Sequence, residues 1–217
     1  MTEKPKGFRK KLENFWYHYK IMVLVIAFFV FSGAYLIGDA LRKQDPDMVI
    51  GYASETYGDE SQFGRIEPEM FRIMGDINGD GKTKINYRLM VMRGNDLYTY
   101  GLNQEEHFNH SFIDKDVRLY VIEDKFFEGK QAYFEPLEGI LSPAFLEGGL
   151  KNENGEICAA PLFGRPVAEK MDFSRPELYV ALKRTMDTEK HDRLVPVKKE
   201  KAEAILKYII EGNEGNE

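Results

Sequence analysis

The sequence predicts an α/β protein in which an N-terminal transmembrane helix precedes one layered α/β domain outside the cytoplasm. Two observations support this fold class. Residues 21–37 form an apolar run without a charge, and after residue 46 short runs that are apolar on both faces alternate with helical stretches. Strands that are buried on both faces are typical of a sheet covered by helices on each side, so these runs indicate a layered fold.

The run IMVLVIAFFVFSGAYLI at residues 21–37 is long enough to cross a membrane as a helix. At the helical rise per residue it measures about 26 Å, close to the hydrocarbon thickness of a bilayer. Aromatic residues, which favour the membrane interface, flank the run. They are Phe15, Trp16, Tyr17 and Tyr19 before it and Tyr35 near its end. We therefore predict a transmembrane helix over residues 21–38.

Charge sets the predicted orientation of this helix. Residues 1–38 have a net charge of +4. The basic and aromatic flank at residues 1–20 is therefore expected to stay in the cytoplasm, in contact with membrane lipid, while the rest of the chain lies outside. A cleaved signal peptide is the alternative, with Gly38 and Ala40 as the small residues of a cleavage site. Because the apolar run is longer than a usual signal core, we expect a retained single-pass anchor in the cell membrane.

The predicted outer domain covers residues 47–211, between a charged linker at 39–46 and a tail at 212–217. The chain after residue 38 has a net charge of −10. Such a domain repels phosphate backbones, so nucleic acid is excluded as an expected partner. Cys158 is the only cysteine, which excludes an intramolecular disulfide and a Cys-x-x-Cys site. Its apolar neighbours predict a buried thiol.

The elements of the domain follow from periodicity and from end signals. Strands are predicted at residues 47–53, 84–92, 117–122, 157–162 and 178–182, from apolar runs or from strict alternation. A helix is predicted to begin at Pro68 and to end at Gly75. The spacing of Ala202, Ile205, Leu206 and Ile209 predicts an amphipathic C-terminal helix. Residues 94–115 indicate a short helix with loops, and residues 129–176 have no clear period.

The most specific motif is DINGDGK at residues 76–82, which resembles the first half of the calcium loop of EF-hand and dockerin proteins, D-x-N-x-D-G. Oxygens at alternate positions can wrap a hard cation, and Gly81 permits the tight turn. The predicted calcium ligands are the side chains of Asp76, Asn78 and Asp80 and the backbone carbonyl of Lys82.

The sequence departs from an EF-hand after this loop. Tyr87 stands at the twelfth position, where a bidentate acid is needed, and the element that follows the loop is a predicted strand. A remote acid would have to complete the site, and the candidates are Glu55, Asp59, Glu60 and Glu67. The alternative is a solvated turn held by Asx hydrogen bonds without an ion. We expect calcium to bind here with the weak affinity of extracellular sites.

The other candidate site residues are predicted to lie at the surface or in the core. Glu105, Glu106, His107 and His110 place an HxxH pair in a polar segment, where a solvated surface is expected instead of a zinc site. Tyr52, Tyr57, Tyr98, Tyr100 and Phe163 can line a cleft, although such residues are more often part of a core. No nucleophile elbow, phosphate-binding glycine loop or HExxH motif occurs, so no catalytic residue is predicted.

Several segments together resemble uncharacterised membrane-anchored envelope proteins of Clostridia-like Gram-positive bacteria, which look like reduced relatives of the extracytoplasmic solute-binding fold. The segments are FRKKLENFWYHYK, the span, the strand from Asp47, DINGDGK with its strand, LYVIEDKFFEG, Phe134 to Leu137, and LYVAL. The resemblance implies an outer domain on a membrane anchor and assigns no activity.

Two functions are consistent with these observations. The first is a membrane-tethered extracytoplasmic binding or scaffold domain, stabilised by calcium and accessory to a transporter or envelope complex. The second is a cell-envelope hydrolase whose active site is assembled from distant residues. Convergent carboxylates or a His–acid pair away from residues 76–82 would favour the enzyme, and a shallow apolar patch would favour the binding domain.

Overall fold

The computed structural model describes residues 6–42, 45–55, 60–92, 101–171 and 175–212. It divides the chain into two compact units, Met1–Gln44 and Asp45–Glu217. The predicted tail after residue 212 lies outside the described residues.

The first unit is one continuous helix, α1, at Lys6–Arg42. It is longer than the predicted span at both ends. The predicted linker at 39–46 is therefore wrong in its first half, because the helix continues to Arg42. Within the described residues, α1 is the one helix that is long and apolar enough to cross a membrane, over Lys10–Leu36 with a mean hydropathy of 2.0. At the helical rise α1 measures about 55 Å, so its basic flank extends the same helix.

The second unit contains the predicted strands and helices with small shifts of their ends. The strands are β1 (Met48–Ser54), β2 (Ile85–Val91), β3 (Val117–Glu123), β4 (Leu150–Lys151), β5 (Ile157–Pro161) and β6 (Leu178–Leu182). The helices are α2 (Glu67–Met74), α3 (Gly101–Ser111), α4 (Asp124–Phe127), α5 (Pro166–Lys170) and α6 (Val195–Glu211). The predicted end of α2 at Gly75 is confirmed. This glycine has a φ of 64°, a left-handed conformation that residues with a Cβ atom rarely adopt.

The six strands form one mixed sheet in the order β2-β1-β3-β6-β5-β4. Strand β1 pairs in parallel with both β2 and β3, and the remaining neighbours are antiparallel. Parallel strands need crossover connections, and the helices α2 and α3 supply them. The two-residue strand β4, at the far edge, was not predicted because so short an element has no period.

Helices cover both faces of the sheet, as the doubly apolar strands predict. Met48, Ile50 and Tyr52 of β1 pack into a core with the apolar sides of α2, α5 and α6. Val49 and Ala53 of the same strand belong to a second core, which includes residues of α3 and α4. The α/β class with layered packing is thus confirmed.

The two crossovers run in opposite directions across the sheet. The chain moves from β1 through α2 to β2 on one side, and from β2 through α3 to β3 on the other side of β1. The chain leaves β1 into α2 on one face and leaves β3 into α4 on the other face, so it diverges at the carboxyl ends of these two neighbouring strands. In open α/β sheets, this reversal of strand order is the place where ligands bind.

Candidate functional site

The 76–82 loop is held together by its own side-chain oxygens. Asp76 Oδ1 accepts a hydrogen bond from the Gly79 amide at 2.7 Å, and Asp76 Oδ2 accepts one from the Gly81 amide at 2.8 Å. Asn78 Oδ1 accepts from the Asp80 amide at 2.9 Å, and Asp80 Oδ1 accepts from the Lys82 amide at 2.9 Å. These are the Asx hydrogen bonds expected of a turn that forms without an ion. The side-chain oxygens of the loop accept them from backbone amides of the same loop.

A residue that sequence reasoning assigned only to a strand fixes this loop from outside. Asp47 is fully buried just before β1. Its Oδ1 accepts from the amides of Ile77 at 2.8 Å and Asn78 at 3.0 Å, and its Oδ2 accepts from the Lys84 amide at 2.8 Å. The buried carboxylate thereby joins the amino end of β1 to both sides of the loop. In the sequence, the one indication that Asp47 holds the loop is that this acidic residue stands directly before an apolar strand.

Two of the remote acids proposed to complete a calcium site have other partners. Glu67 accepts a hydrogen bond from the Tyr87 hydroxyl at 3.2 Å, and Glu55 pairs with Lys125 at 2.6 Å. Asp59 and the side chain of Glu60 lie outside the described part of the chain. Within the part of the chain that the structure describes, no group of three or more His, Cys, Asp or Glu side chains is placed to hold a metal ion. Calcium binding by Asp76, Asn78, Asp80 and Lys82 therefore stays a prediction.

The other candidates fall mostly where the sequence placed them. His107 and His110 lie on α3 and are both exposed, with His110 Nε2 at 3.5 Å from Glu106 Oε1. Cys158 is buried, and this burial raises the pKa of its thiol to about 11. Tyr52 belongs to the core, whereas Phe163 is 55% exposed. Tyr57, Tyr98 and Tyr100 lie outside the described residues.

A cluster that the sequence analysis did not predict lies at the carboxyl ends of β1 and β3. This carboxyl-edge cluster consists of Tyr52, Ser54, Glu55, Glu123, Lys125, Arg175 and Glu177. Strand pairing assembles it, because Ala53 of β1 lies beside Ile122 and Glu123 lies beside Leu178, the first residue of β6. The polar residues that end these apolar runs, Ser54 and Glu123, were the available signal.

Glu123 is the centre of the carboxyl-edge cluster, and only 3% of its side chain is exposed. Its Oε1 accepts hydrogen bonds from the Ser54 hydroxyl and from the Glu55 amide, the latter at 3.1 Å. Its Oε2 lies 3.0 Å from Lys125 Nζ. Burial opposes the charge on Lys125, but the hydrogen bonds to Glu55 and Glu123 outweigh it and raise the pKa of Lys125. The buried carboxylate is thus neutralised by a cation that reaches solvent.

Arg175 is the second cation of the carboxyl-edge cluster. Its Nη2 donates a hydrogen bond to the Tyr52 hydroxyl. Its Nη1 lies 3.7 Å from Glu123 Oε1 and 3.8 Å from Glu177 Oε1, which are ion-pair distances. This buried nitrogen has no hydrogen-bond acceptor within the described part of the chain. The guanidinium therefore has donor capacity that a bound oxygen atom can use.

The carboxyl-edge cluster combines donors and acceptors suited to a polar molecule. Lys125 is 41% exposed, and the side chains of Glu55 and Glu177 are exposed to a similar extent, so both signs of charge face outward. Three carboxylates converge here away from the 76–82 loop. Glu123 already has donors at both oxygens, which leaves little lone-pair capacity for proton abstraction. Comparison of this chain with protein-family models, with curated proteins and with solved structures found no match.

Proposed function

We propose that this chain is a membrane-tethered extracytoplasmic binding domain that takes a small polar solute at the carboxyl-edge cluster. One observation carries the binding role: a buried charge, with partly exposed counter-ions, lies where the strand order of an open α/β sheet reverses. A role as accessory to a transporter or envelope complex agrees with the predicted topology and with the resemblance to envelope proteins.

Tethering is supported by the character of α1. Its large apolar side chains are exposed, among them Phe28, Phe29 and Phe31, and the structure buries none of its most apolar window. An exposed apolar surface of this length is what a helix that lies in lipid presents. A signal sequence has the same composition, so the processing of the chain decides between the two interpretations.

The tethering test uses an enzyme reporter that is active only outside the cytoplasm, fused after Glu217. We expect activity in intact cells, a membrane-bound product of full length, and its release by detergent but not by high salt. Replacement of Lys10, Lys11 and Lys20 by Glu is expected to reduce correct insertion, because the basic flank sets orientation. A soluble product that has lost the residues before about position 40 would identify a signal peptide instead.

The binding test measures thermal unfolding of the full chain in detergent with amino acids and with neutral sugars, which offer both donors and acceptors. We expect at least one of these solutes to stabilise the wild type and to lose its effect in Arg175→Gln, which removes the unpaired donor. Arg72→Gln is the matched control, since Arg72 is an exposed arginine paired with Glu69 on α2. If no solute in the panel acts through Arg175, the binding role is wrong and a scaffold role is left.

The hydrolase is the second candidate, favoured by the convergence of Glu55, Glu123 and Glu177. The hydrogen bond from Ser54 to Glu123 resembles a nucleophile beside a base, but donors at both Glu123 oxygens argue against proton transfer. Hydrolysis of envelope polymers by the wild type that is lost in both Ser54→Ala and Glu123→Gln would reverse this preference.

A further inference from the structure

A second charged cluster lies at the opposite end of β3 and is almost entirely enclosed. This amino-edge cluster consists of Arg118, Lys183 and Glu189, whose side chains are 1%, 0% and 3% exposed. A bulge places Arg118 there: Val49 of β1 lies beside Val117 and Ile50 lies beside Leu119, so Arg118 is the extra residue. Bulges redirect side chains in this way, and here the result is a cation in the interior.

The hydrogen bonds of the amino-edge cluster satisfy Lys183 and Glu189 but not Arg118. Lys183 Nζ donates to Glu189 Oε1 at 2.5 Å and to the Asp114 carbonyl at 2.6 Å, while the Met186 amide donates to Glu189 Oε2 at 3.1 Å. Arg118 Nη1 lies 3.1 Å from Glu189 Oε2, an ion-pair distance without hydrogen-bond alignment. Nε, Nη1 and Nη2 of Arg118 have no hydrogen-bond acceptor among the described residues. Buried donors of this kind normally have a partner.

The amino-edge cluster has more positive than negative side chains, whereas the charged side chains around it form pairs of opposite charge. Two cations face one carboxylate. Neighbouring ionised groups form separate pairs, each with a closest distance of 2.6 Å: Arg88 with Asp114, Lys115 with Asp192, and Lys198 with Asp116. Burial lowers the pKa of Lys183 even though the hydrogen bond to Glu189 acts in the opposite direction. Asp114 also acts on Lys183 but is paired with Arg88, so the enclosed side chains carry one more positive charge than they have carboxylates.

We infer that the amino-edge cluster binds a small inorganic anion, of the size and charge of chloride, against the guanidinium of Arg118. A monatomic anion accepts hydrogen bonds from several donors and supplies the missing negative charge. A water molecule accepts hydrogen bonds but leaves the charge uncompensated, and a phosphate brings more charge and volume than an enclosed site with one excess cation suits. The anion is a structural ligand, separate from the solute proposed for the carboxyl-edge cluster.

The test is thermal unfolding of the full chain in detergent at constant ionic strength, with chloride exchanged stepwise for the bulky anion gluconate. A site that chloride saturates in the millimolar range predicts a rise in Tm of roughly 5 °C at saturation. Bromide is expected to replace chloride. Lys183→Met, which removes the excess charge at similar volume, is expected to lose the response. Arg88→Gln, at a partly exposed pair nearby, is expected to keep it.

A Tm that does not depend on chloride in the wild type would overturn the inference, as would an equal response in Lys183→Met. If Lys183→Met does not fold, anomalous scattering from crystals of the full chain grown in bromide decides. A bromide peak within hydrogen-bonding distance of the Arg118 guanidinium supports the site. A water molecule there, or no peak, rejects it.

Discussion

Strand β3 has a charged residue near each end, and the two ends of the sheet use these charges differently. At the carboxyl end, Glu123 is buried but its cations Lys125 and Arg175 are partly exposed. At the amino end, Arg118, Lys183 and Glu189 are all enclosed. Counter-ions that reach solvent can exchange partners with a ligand, whereas enclosed charges act only on the stability of the fold. The comparison therefore assigns recognition to one end and stability to the other.

The substitution with the largest expected effect on stability is Glu189→Gln, at the amino end of the sheet. The substitution leaves Arg118 and Lys183 facing each other without a carboxylate, and breaking a buried pair in this way costs about 3–5 kcal/mol. The measurement is the free energy of unfolding from denaturant titration. Asp187→Asn is the control, because Asp187 lies in the same turn but is exposed, and we expect no measurable change. A cost as small as that of the control would show that the enclosed charges are not coupled.

At the carboxyl end, Glu123→Gln is expected to cost less, about 2 kcal/mol. The amide oxygen can still accept from Ser54 and from the Glu55 amide, while Lys125 and Arg175 lose a charge but partly reach solvent. Denaturant titration gives the value, and Glu177→Gln, at an exposed partner of Arg175, serves as the control with no measurable change. If Glu123→Gln proves as costly as Glu189→Gln, the two ends do not differ in the way proposed.

Sequence reasoning predicted the parts of this arrangement that depend on local pattern. The runs 117–122 and 178–182 were recognised as strands because both of their faces are apolar, and α2 was placed by Pro68 and Gly75. The segment that contains α3 was ambiguous, since Phe108 is the only buried apolar residue among the described side chains of the helix, and Phe112 lies just after its end. The charged clusters were missed because their partners are far apart in the chain. Glu123 and Arg175, like Arg118 and Glu189, meet only through the antiparallel pairing of β3 with β6 and the turn after it.

The pH dependence of stability is a smaller effect that distinguishes the amino end of the sheet from the carboxyl end. Burial alone would raise the pKa of Asp114, near the amino-edge cluster, but hydrogen bonds from the Asp116 amide and from Arg88 lower it below its ordinary value of 3.8. The carboxylate therefore contributes stability that is present above pH 3.8 and is lost as the pH falls through the lowered pKa. We expect Asp114→Asn to remove about 1 kcal/mol of this acid dependence.

The measurement is the denaturation midpoint as a function of pH, from neutral pH down into the acid range. Asp124→Asn, at an exposed aspartate beside the carboxyl-edge cluster, is expected to keep the acid dependence of the wild type. Identical pH profiles for the wild type and Asp114→Asn would remove Asp114 from the account of stability at the amino end.

The smallest predicted effect is the stabilisation of the fold by calcium. Calcium would be a second ion at the amino end of the sheet, beside the anion inferred at Arg118, and would add to the contrast with the carboxyl end. The 76–82 loop precedes β2, and Asp47, which fixes it, precedes β1, so the loop belongs to the same edge of the sheet as Arg118. Its carboxylates already accept backbone hydrogen bonds, so calcium would add to a loop that is formed without it. At the affinity of extracellular sites, about 1 mM calcium would then add less than about 1 kcal/mol.

The calcium effect is measured as a shift in Tm, with Asp80→Asn as the informative variant. Asp80 Oδ1 accepts one hydrogen bond from the loop, which an asparagine oxygen can also accept, so this change removes charge and keeps the turn. Asp76→Asn disturbs more, because Asp76 accepts from three amides through both oxygens. We expect calcium to stabilise the wild type, Asp80→Asn to lose most of the effect, and magnesium to act less. Equal stabilisation of both proteins would instead mean general screening of an acidic domain, and Asp76, Asn78, Asp80 and Lys82 would then form a turn whose only ligands are its own amides.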